Sequence, residues 1–332
     1  MKLAPTPKDA VLRDGCATLH RFRGTGGGDA GDAPVLLVPS LINRWYVLDL
    51  RAGSSVAEAL VGARLDTFLL DWGTPEAEDR YLSWDDVLAR LARAVRRVRR
   101  LTGAPKVGLL GYCMGATLSG IHTALHPDEI AALVNLAGPF DFAEGGFLKQ
   151  MTDPRWFDVD AIVEAGNLSP EQMQSGFVAL RPTQHVAKMV GYLDKLHEPM
   201  ARAGFEALEA WASDNIPFPA EAYRRYIKEL YQENQLVRGE HHVAGRRVEL
   251  ASIRCPLLTI TADRDSIVPP KAALALPAQA SSTEKEHLAV PGGHVGAVVG
   301  SRASKALYPA MATWLRRILA GQGAYVEARA TA

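Results

Sequence analysis

One short stretch of this 332-residue chain has the residue types and spacing of a covalent catalyst. Gly111-Tyr112-Cys113-Met114-Gly115 follows the apolar run Val107-Gly108-Leu109-Leu110 and precedes Ala-Thr-Leu-Ser-Gly-Ile-His, which reads as a helix. A cysteine at so sharp a strand-to-helix turn is held in a strained conformation, and the residues two positions either side must be small. Gly111 and Gly115 meet that need. The helix start aims N–H groups and a partial positive charge at the sulfur, which favours a thiolate. The N–H of Met114 can then donate to an oxyanion developing on an attacked carbonyl. The chemistry indicated is nucleophilic acyl transfer through an acyl-cysteine. The competing reading is a buried structural cysteine beside a tight turn, and the strand-elbow-helix context weighs against it. Cys16, beside Gly15 in an N-terminal hairpin, and Cys255, just before Pro256, read as structural.

Strand, elbow and helix in this order match the nucleophile elbow of α/β-hydrolases, with sulfur in place of oxygen. In that arrangement the acid and then the histidine follow along the chain. The late apolar run Leu-Leu-Thr-Ile-Thr-Ala (257–262) leads into Asp263-Arg264-Asp265-Ser266-Ile267-Val268-Pro269. Asp265 is favoured as the acid, because the Ile-Val-Pro turn after it could bury and orient it. Asp263 could instead bond local backbone, as loop aspartates often do. His294, in Gly292-Gly293-His294-Val295-Gly296, has the right place in the order for the base. His122 and His126 fall on the helix after the elbow and read as packing or surface residues. His241-His242 has no evident third ligand and reads as a solvent-exposed loop, so no metal is expected.

Short apolar runs at 35–39, 67–71, 106–110, 131–137, 256–262 and 287–290 supply the strands that must position these groups. Unbroken apolar runs of this length suit a parallel sheet covered on both faces. Between the second and third lies the clearest helix. Ser83 caps it with Asp86 three residues on, and Trp84, Val87, Leu88, Leu91, Val95 and Val98 form one apolar stripe. Arg96, Arg97, Arg99 and Arg100 suit its negative end; they read as a solvated face, in preference to an anion site. The glycine-rich stretch 24–32 lacks the Lys-Ser/Thr of a phosphate loop and reads as a turn or mobile loop. Strand-helix alternation predicts a doubly wound, mostly parallel sheet with the α/β-hydrolase fold, formed by residues 1–140 and 253–332. It is interrupted over 141–252, a stretch rich in helix formers and aromatics (Phe147, Trp156, Phe157, Phe177, Trp211, Phe218) that reads as an inserted, mainly helical cap.

Composition removes other classes. Lys+Arg and Asp+Glu are both 37, and this balance argues against a nucleic-acid binder. No apolar run reaches the ~18 residues of a membrane span. The start, Met-Lys-Leu-Ala-Pro-Thr-Pro, has no signal-peptide core, which suggests a cytoplasmic protein. Three widely spaced cysteines make neither a disulfide framework nor a zinc site.

Longer motifs carry a family resemblance over about 35–319. They are Leu-Val-Pro-Ser-Leu-Ile-Asn-Arg-Trp-Tyr-Val-Leu-Asp-Leu (37–50), Phe-Leu-Leu-Asp-Trp-Gly (68–73), Gly-Tyr-Cys-Met-Gly (111–115), Asp-Ser-Ile-Val-Pro-Pro (265–270) and Pro-Gly-Gly-His-Val-Gly (291–296). With these the chain resembles polyhydroxyalkanoate synthases, most of all the catalytic subunit of the short class III enzymes. The resemblance puts the nucleophile on Cys113, the aspartate on Asp265 and the histidine on His294. It implies a substrate of the (R)-3-hydroxyacyl-CoA type, 3-hydroxybutyryl-CoA among short-chain candidates, a polyester product and released CoA, with no cofactor. The oxyanion hole would pair the N–H of Met114 with one from the Pro39-Ser40-Leu41-Ile42 loop, assigned to Leu41. Asp265 would orient His294 or help deprotonate the attacking hydroxyl. The resemblance also implies a homodimer, or a complex with an accessory subunit, at polymer granules. One departure is Ala116, where the family usually has a second glycine after the elbow. The other readings of the same residues are a thioesterase or esterase with water as acceptor, and a non-catalytic subunit that keeps the fold.

Overall fold

The computed structural model describes residues 2–24, 31–180 and 199–323. An eight-stranded sheet organises them: β1 (Lys8–Asp14), β2 (Ala17–Phe22), β3 (Val35–Val38), β4 (Thr67–Asp71), β5 (Val107–Tyr112), β6 (Ile130–Leu136), β7 (Leu257–Ala262) and β8 (Lys285–Val290). Their spatial order is β1-β2-β4-β3-β5-β6-β7-β8. From β4 to β8 neighbours run parallel, with Leu37 beside Leu110 and Leu109 beside Leu133. The hairpin β1–β2 adds two antiparallel strands at one edge, an extension of the sheet that the apolar runs alone did not reveal.

Alternate strand residues feed two cores, one on each face. Leu36, Val38, Leu109 and Leu133 pack with α2 (Trp84–Thr102) and α3 (Met114–Leu125). Val35, Leu37, Leu110 and Val134 pack with α1 (Val56–Gly62) and the C-terminal helix Ala303–Leu319. Coverage on both faces is why the central strands are apolar throughout. The last strand departs from this. Lys285, Glu286, His287 and Ala289 of β8 are exposed and Val290 alone is buried, because β8 is the sheet edge.

The apolar stripe of α2 is buried as its spacing requires, and its first turn closes a capping box: Asp86 N–H donates to Ser83 Oγ and Ser83 N–H to Asp86 Oδ2. Its arginines are not simply solvated. Arg99 pairs with Glu129 at 2.7 Å and Arg97 Nε donates to the Val11 carbonyl at 3.0 Å. Positions 25–30 of the glycine-rich stretch lie outside the described residues.

Between β6 and β7 the described chain is mainly helical. It carries α4 (Gly146–Met151), α5 (Val159–Glu164), α6 (Pro170–Leu180), α7 (Pro199–Ser213) and α8 (Ala220–Arg225), which runs on as a π-helix over Tyr226–Gln232. An antiparallel bridge between Leu168 and Phe218 ties two of these segments together.

Candidate active site

Cys113 sits between β5 and α3 with φ +55° and ψ −127°, backbone angles an L-residue rarely adopts. The surrounding backbone holds it there. Cys113 N–H donates to the Leu136 carbonyl at 3.0 Å, and its own carbonyl accepts from Ala116 N–H at 2.9 Å. The flanking glycines are sterically required. A Cβ on Gly111 would lie 2.3 Å from Ala116 Cα, and one on Gly115 would lie 2.0 Å from the Val38 carbonyl oxygen. Met114 opens α3, so its N–H has no acceptor within the helix.

The loops after β7 and β8 bring the other two groups in. Asp265 Oδ1 accepts from the N–H of Ile267 and of Val268, each at 2.9 Å, and Oδ2 lies 2.7 Å from His294 Nδ1. Its side chain is fully buried. Asp263 is half exposed, and its Oδ1 accepts from Gly292 N–H at 2.7 Å, which fastens the two loops together. Gly292 takes φ +136°, which explains the glycine before the histidine loop turns inward. Tyr112 stacks on the imidazole of His294, with ring centroids 5.2 Å apart.

Burial alone would push the pKa of His294 down; the charge of a Cys113 thiolate and the Asp265 carboxylate outweigh it and raise the pKa to about 10. The imidazole is thus a strong proton acceptor. Burial raises the pKa of Cys16 and Cys255. Cys255 is pushed up to about 12, and Cys16, bonded to the Trp72 carbonyl and to Arg90, is also raised. Neither is primed as a nucleophile.

Cys113, Met114 and His294 open onto a cavity of about 810 Å³. Its far wall comes from the helical segment, with Phe157, Trp211, Phe218, Tyr223, Tyr226 and Tyr231. Phe147 and Trp156 instead point outward and are exposed, and the Phe177 side chain lies outside the described residues. The near wall includes Ile42 and Asn43, whereas the Leu41 side chain is buried in the core. Among the described residues, neither Leu41 N–H nor Ile42 N–H has a hydrogen-bond acceptor, and the hydroxyl of Ser40 beside them is buried without a partner.

A model of the alpha/beta hydrolase fold matches residues 33–301. The poly(3-hydroxyalkanoate) polymerase subunit PhaC of Allochromatium vinosum is 35% identical over 317 residues, 93% of this chain and 88% of that one. The chain belongs to the poly(3-hydroxyalkanoate) polymerase family. The subunit of the same name from Thiocystis violacea is 31% identical over 316 residues, again 93% of this chain and 88% of the relative. A solved thioesterase domain from the curacin biosynthetic pathway superposes with a TM-score of 0.53 at 13% identity, covering 94% of this chain and 99% of its own; at that identity it speaks to the fold alone.

One histidine of this family member is not where its sequence suggested. His241 is buried, not in an exposed loop: Trp84 Nε1 donates to its Nε2 at 3.2 Å, and its Nδ1 lies 2.8 Å from Glu229. The pair divides because a short strand begins at His242, so the two side chains leave on opposite sides and His242 alone is exposed. Sequence reasoning also passed over Tyr112, Asn43 and the tyrosines of 223–231. The i, i+3 spacing of Tyr223 and Tyr226 was the available signal.

Proposed function

We propose that this chain polymerises short (R)-3-hydroxyacyl-CoA, with 3-hydroxybutyryl-CoA as the representative substrate, through an acyl-Cys113 intermediate and with release of CoA. The observation that carries this reading is the Cys113, His294 and Asp265 array facing a cavity with an aromatic far wall in a member of the polymerase family. His294 takes the thiol proton and the thiolate attacks the thioester carbonyl. The carbonyl electron pair moves to oxygen, where the N–H of Met114 and one N–H of the 39–42 loop receive it. The pair returns, the C–S bond to CoA breaks, and the CoA thiolate takes the proton from His294. The hydroxyl of a second acyl unit then attacks acyl-Cys113 while His294 takes its proton; the second oxyanion collapses, the bond from carbon to Sγ breaks to leave the ester, and Cys113 Sγ regains the proton from His294. Both oxygens of Asp265 are engaged and its side chain is out of solvent, which supports a role through His294 rather than directly on the hydroxyl.

The thioester is already an activated acyl donor, so the proposed reaction calls for no cofactor. An aromatic roof that keeps water from acyl-Cys113 lets the alcohol win as acceptor. As the protein works in the cell, we place it in the cytoplasm at the granule surface, as a homodimer or with an accessory subunit. Among the described residues no helix is long and apolar enough to cross a membrane. The test is incubation with 3-hydroxybutyryl-CoA, alone and with a candidate accessory subunit. CoA release with insoluble polyester is expected, and Cys113→Ala abolishes both. CoA release with only soluble 3-hydroxybutyrate would replace this reading with a thioesterase.

A further inference from the structure

The 39–46 loop starts in the core, yet its outer half is bonded to the helical segment over the site. On the core side the Pro39 carbonyl accepts from Trp72 Nε1 at 2.9 Å. On the outer side, residues 211–215 at the end of α7 take hold of it. Asn43 and Asn215 form an antiparallel bridge, and Asn43 Nδ2 donates to Asn215 Oδ1 at 2.7 Å. Trp211 Nε1 donates to the Arg44 carbonyl at 2.8 Å. Asp214 divides its two oxygens: Oδ1 accepts from Arg44 Nε at 2.9 Å and Oδ2 from the Tyr46 hydroxyl at 2.8 Å. Asn215 Nδ2 continues the chain to Gln174 Oε1 of α6 at 2.8 Å.

Arg44 and Asp214 are partly exposed, so their ion pair contributes little to stability. Its consequence is geometric. These bonds flank the Leu41 and Ile42 N–H groups, which have no acceptor among the described residues. An oxyanion donor works only within about 3 Å of the charge it meets, and a shift of about 1 Å can cost roughly 100-fold in rate.

We propose that Asp214 and Asn215 are positioning residues for acyl transfer: they hold the 39–46 loop so that its N–H completes the oxyanion hole at Cys113, and the hole is complete only while residues 211–215 are docked. The proposal rests on Cys113 being the nucleophile. It adds a function to a segment whose evident task is to roof the cavity.

Two reactions at the same sulfur test it in the full chain. Acylation by p-nitrophenyl butanoate passes through an oxyanion: Sγ bonds to the carbonyl carbon, the π pair moves to oxygen and returns, the ester C–O bond breaks and p-nitrophenolate departs. Alkylation by iodoacetamide forms a C–S bond, expels iodide and makes no oxyanion. The variants are Asp214→Asn, Tyr46→Phe and their double, with Asp214→Glu as the conservative replacement. In the double variant the acylation rate constant should fall roughly 10- to 100-fold. Alkylation should stay within about twofold, since no donor is needed there. Asp214→Glu should recover part of the loss. Unchanged acylation, or acylation and alkylation falling together, would overturn the proposal; the second outcome marks a merely structural contact. A burst of p-nitrophenolate from the unsubstituted chain without polymer from 3-hydroxybutyryl-CoA would remove the polymerase reading and leave this test standing. No burst at all would remove the nucleophile and this proposal together.

Discussion

Asp263 and Asp265 stand two residues apart in one loop and do different things. The Ile-Val-Pro turn after Asp265 made it the candidate acid, and what fixes its side chain is backbone: the Ile267 and Val268 N–H groups pin Oδ1 and leave Oδ2 for His294. This predicts the effect of Asp265→Asn. The carboxamide oxygen would keep the two N–H donors, so its NH2 would face Nδ1. The imidazole would then carry its proton on Nε2 and could not take one from Cys113. Acylation of Cys113 should fall roughly 10²- to 10⁴-fold, as for a wrong-tautomer triad. Asp263→Asn keeps an acceptor for Gly292 N–H and should change the rate by less than about threefold, as surface changes usually do. Burst kinetics on both variants decide it; equal losses would mean that the two aspartates share the role. The stacking of Tyr112 on His294 was not legible, because a residue between a glycine and the nucleophile gives no sign of which ring it will meet across the sheet.

The elbow is the element in which sequence and structure agree most closely, since its requirements are local: a strand, a turn too tight for side chains, a helix. The central strands were legible for the same reason, through unbroken apolar runs. The run 287–290 marked β8 as well, but its edge position was not legible, because being an edge is a property of the sheet and not of its own residues. Ala116 shows how a departure from a family motif is absorbed at a distance. Its methyl is fully buried and faces Gly138, in the turn after β6, where an added Cβ would lie 2.3 Å from Ala116 Cβ and 2.7 Å from the Cys113 carbonyl oxygen. Gly138 thus supplies the space that a glycine at 116 would have left. Gly138→Ala should therefore destabilise the fold by about 1–3 kcal/mol in urea unfolding. Adding Ala116→Gly should restore part of that, despite costing up to about 1 kcal/mol on its own. Strict additivity of the two changes would show that the methyl and Gly138 are not coupled.

At the scale of the whole molecule, the helical segment between β6 and β7 was legible as a change in composition, but its docking was not. That depends on pairs such as Asn43 and Asn215, 172 residues apart, which no local pattern records. Burial at this scale also governs how the fold responds to acid. His122, on α3, is 2% exposed and packs its ring 4.8 Å from that of His126. Its Nε2 is 4.0 Å from Glu129, beyond a hydrogen bond, and that carboxylate is already paired with Arg99 at 2.7 Å. Removal from water, aided by the charges of His126 and Arg96, lowers the pKa from 6.5 to about 3. The folded protein therefore keeps His122 neutral in the pH range where the unfolded chain protonates it. Between pH 6.5 and about 3 the unfolded state binds the extra proton, so stability falls as pH falls, by about 1 kcal/mol per unit from this group. Above 6.5 both states are neutral and the contribution vanishes. His122→Leu removes the titration while keeping an apolar side chain of similar size on α3. Urea unfolding of both proteins at pH 7, 5.5 and 4 isolates the effect, because every other titrating group is common to the two. The variant should gain on the natural chain by about 1 kcal/mol per unit below pH 6.5; a constant difference across the three would mean that His122 is protonated in the folded protein as readily as in the unfolded one.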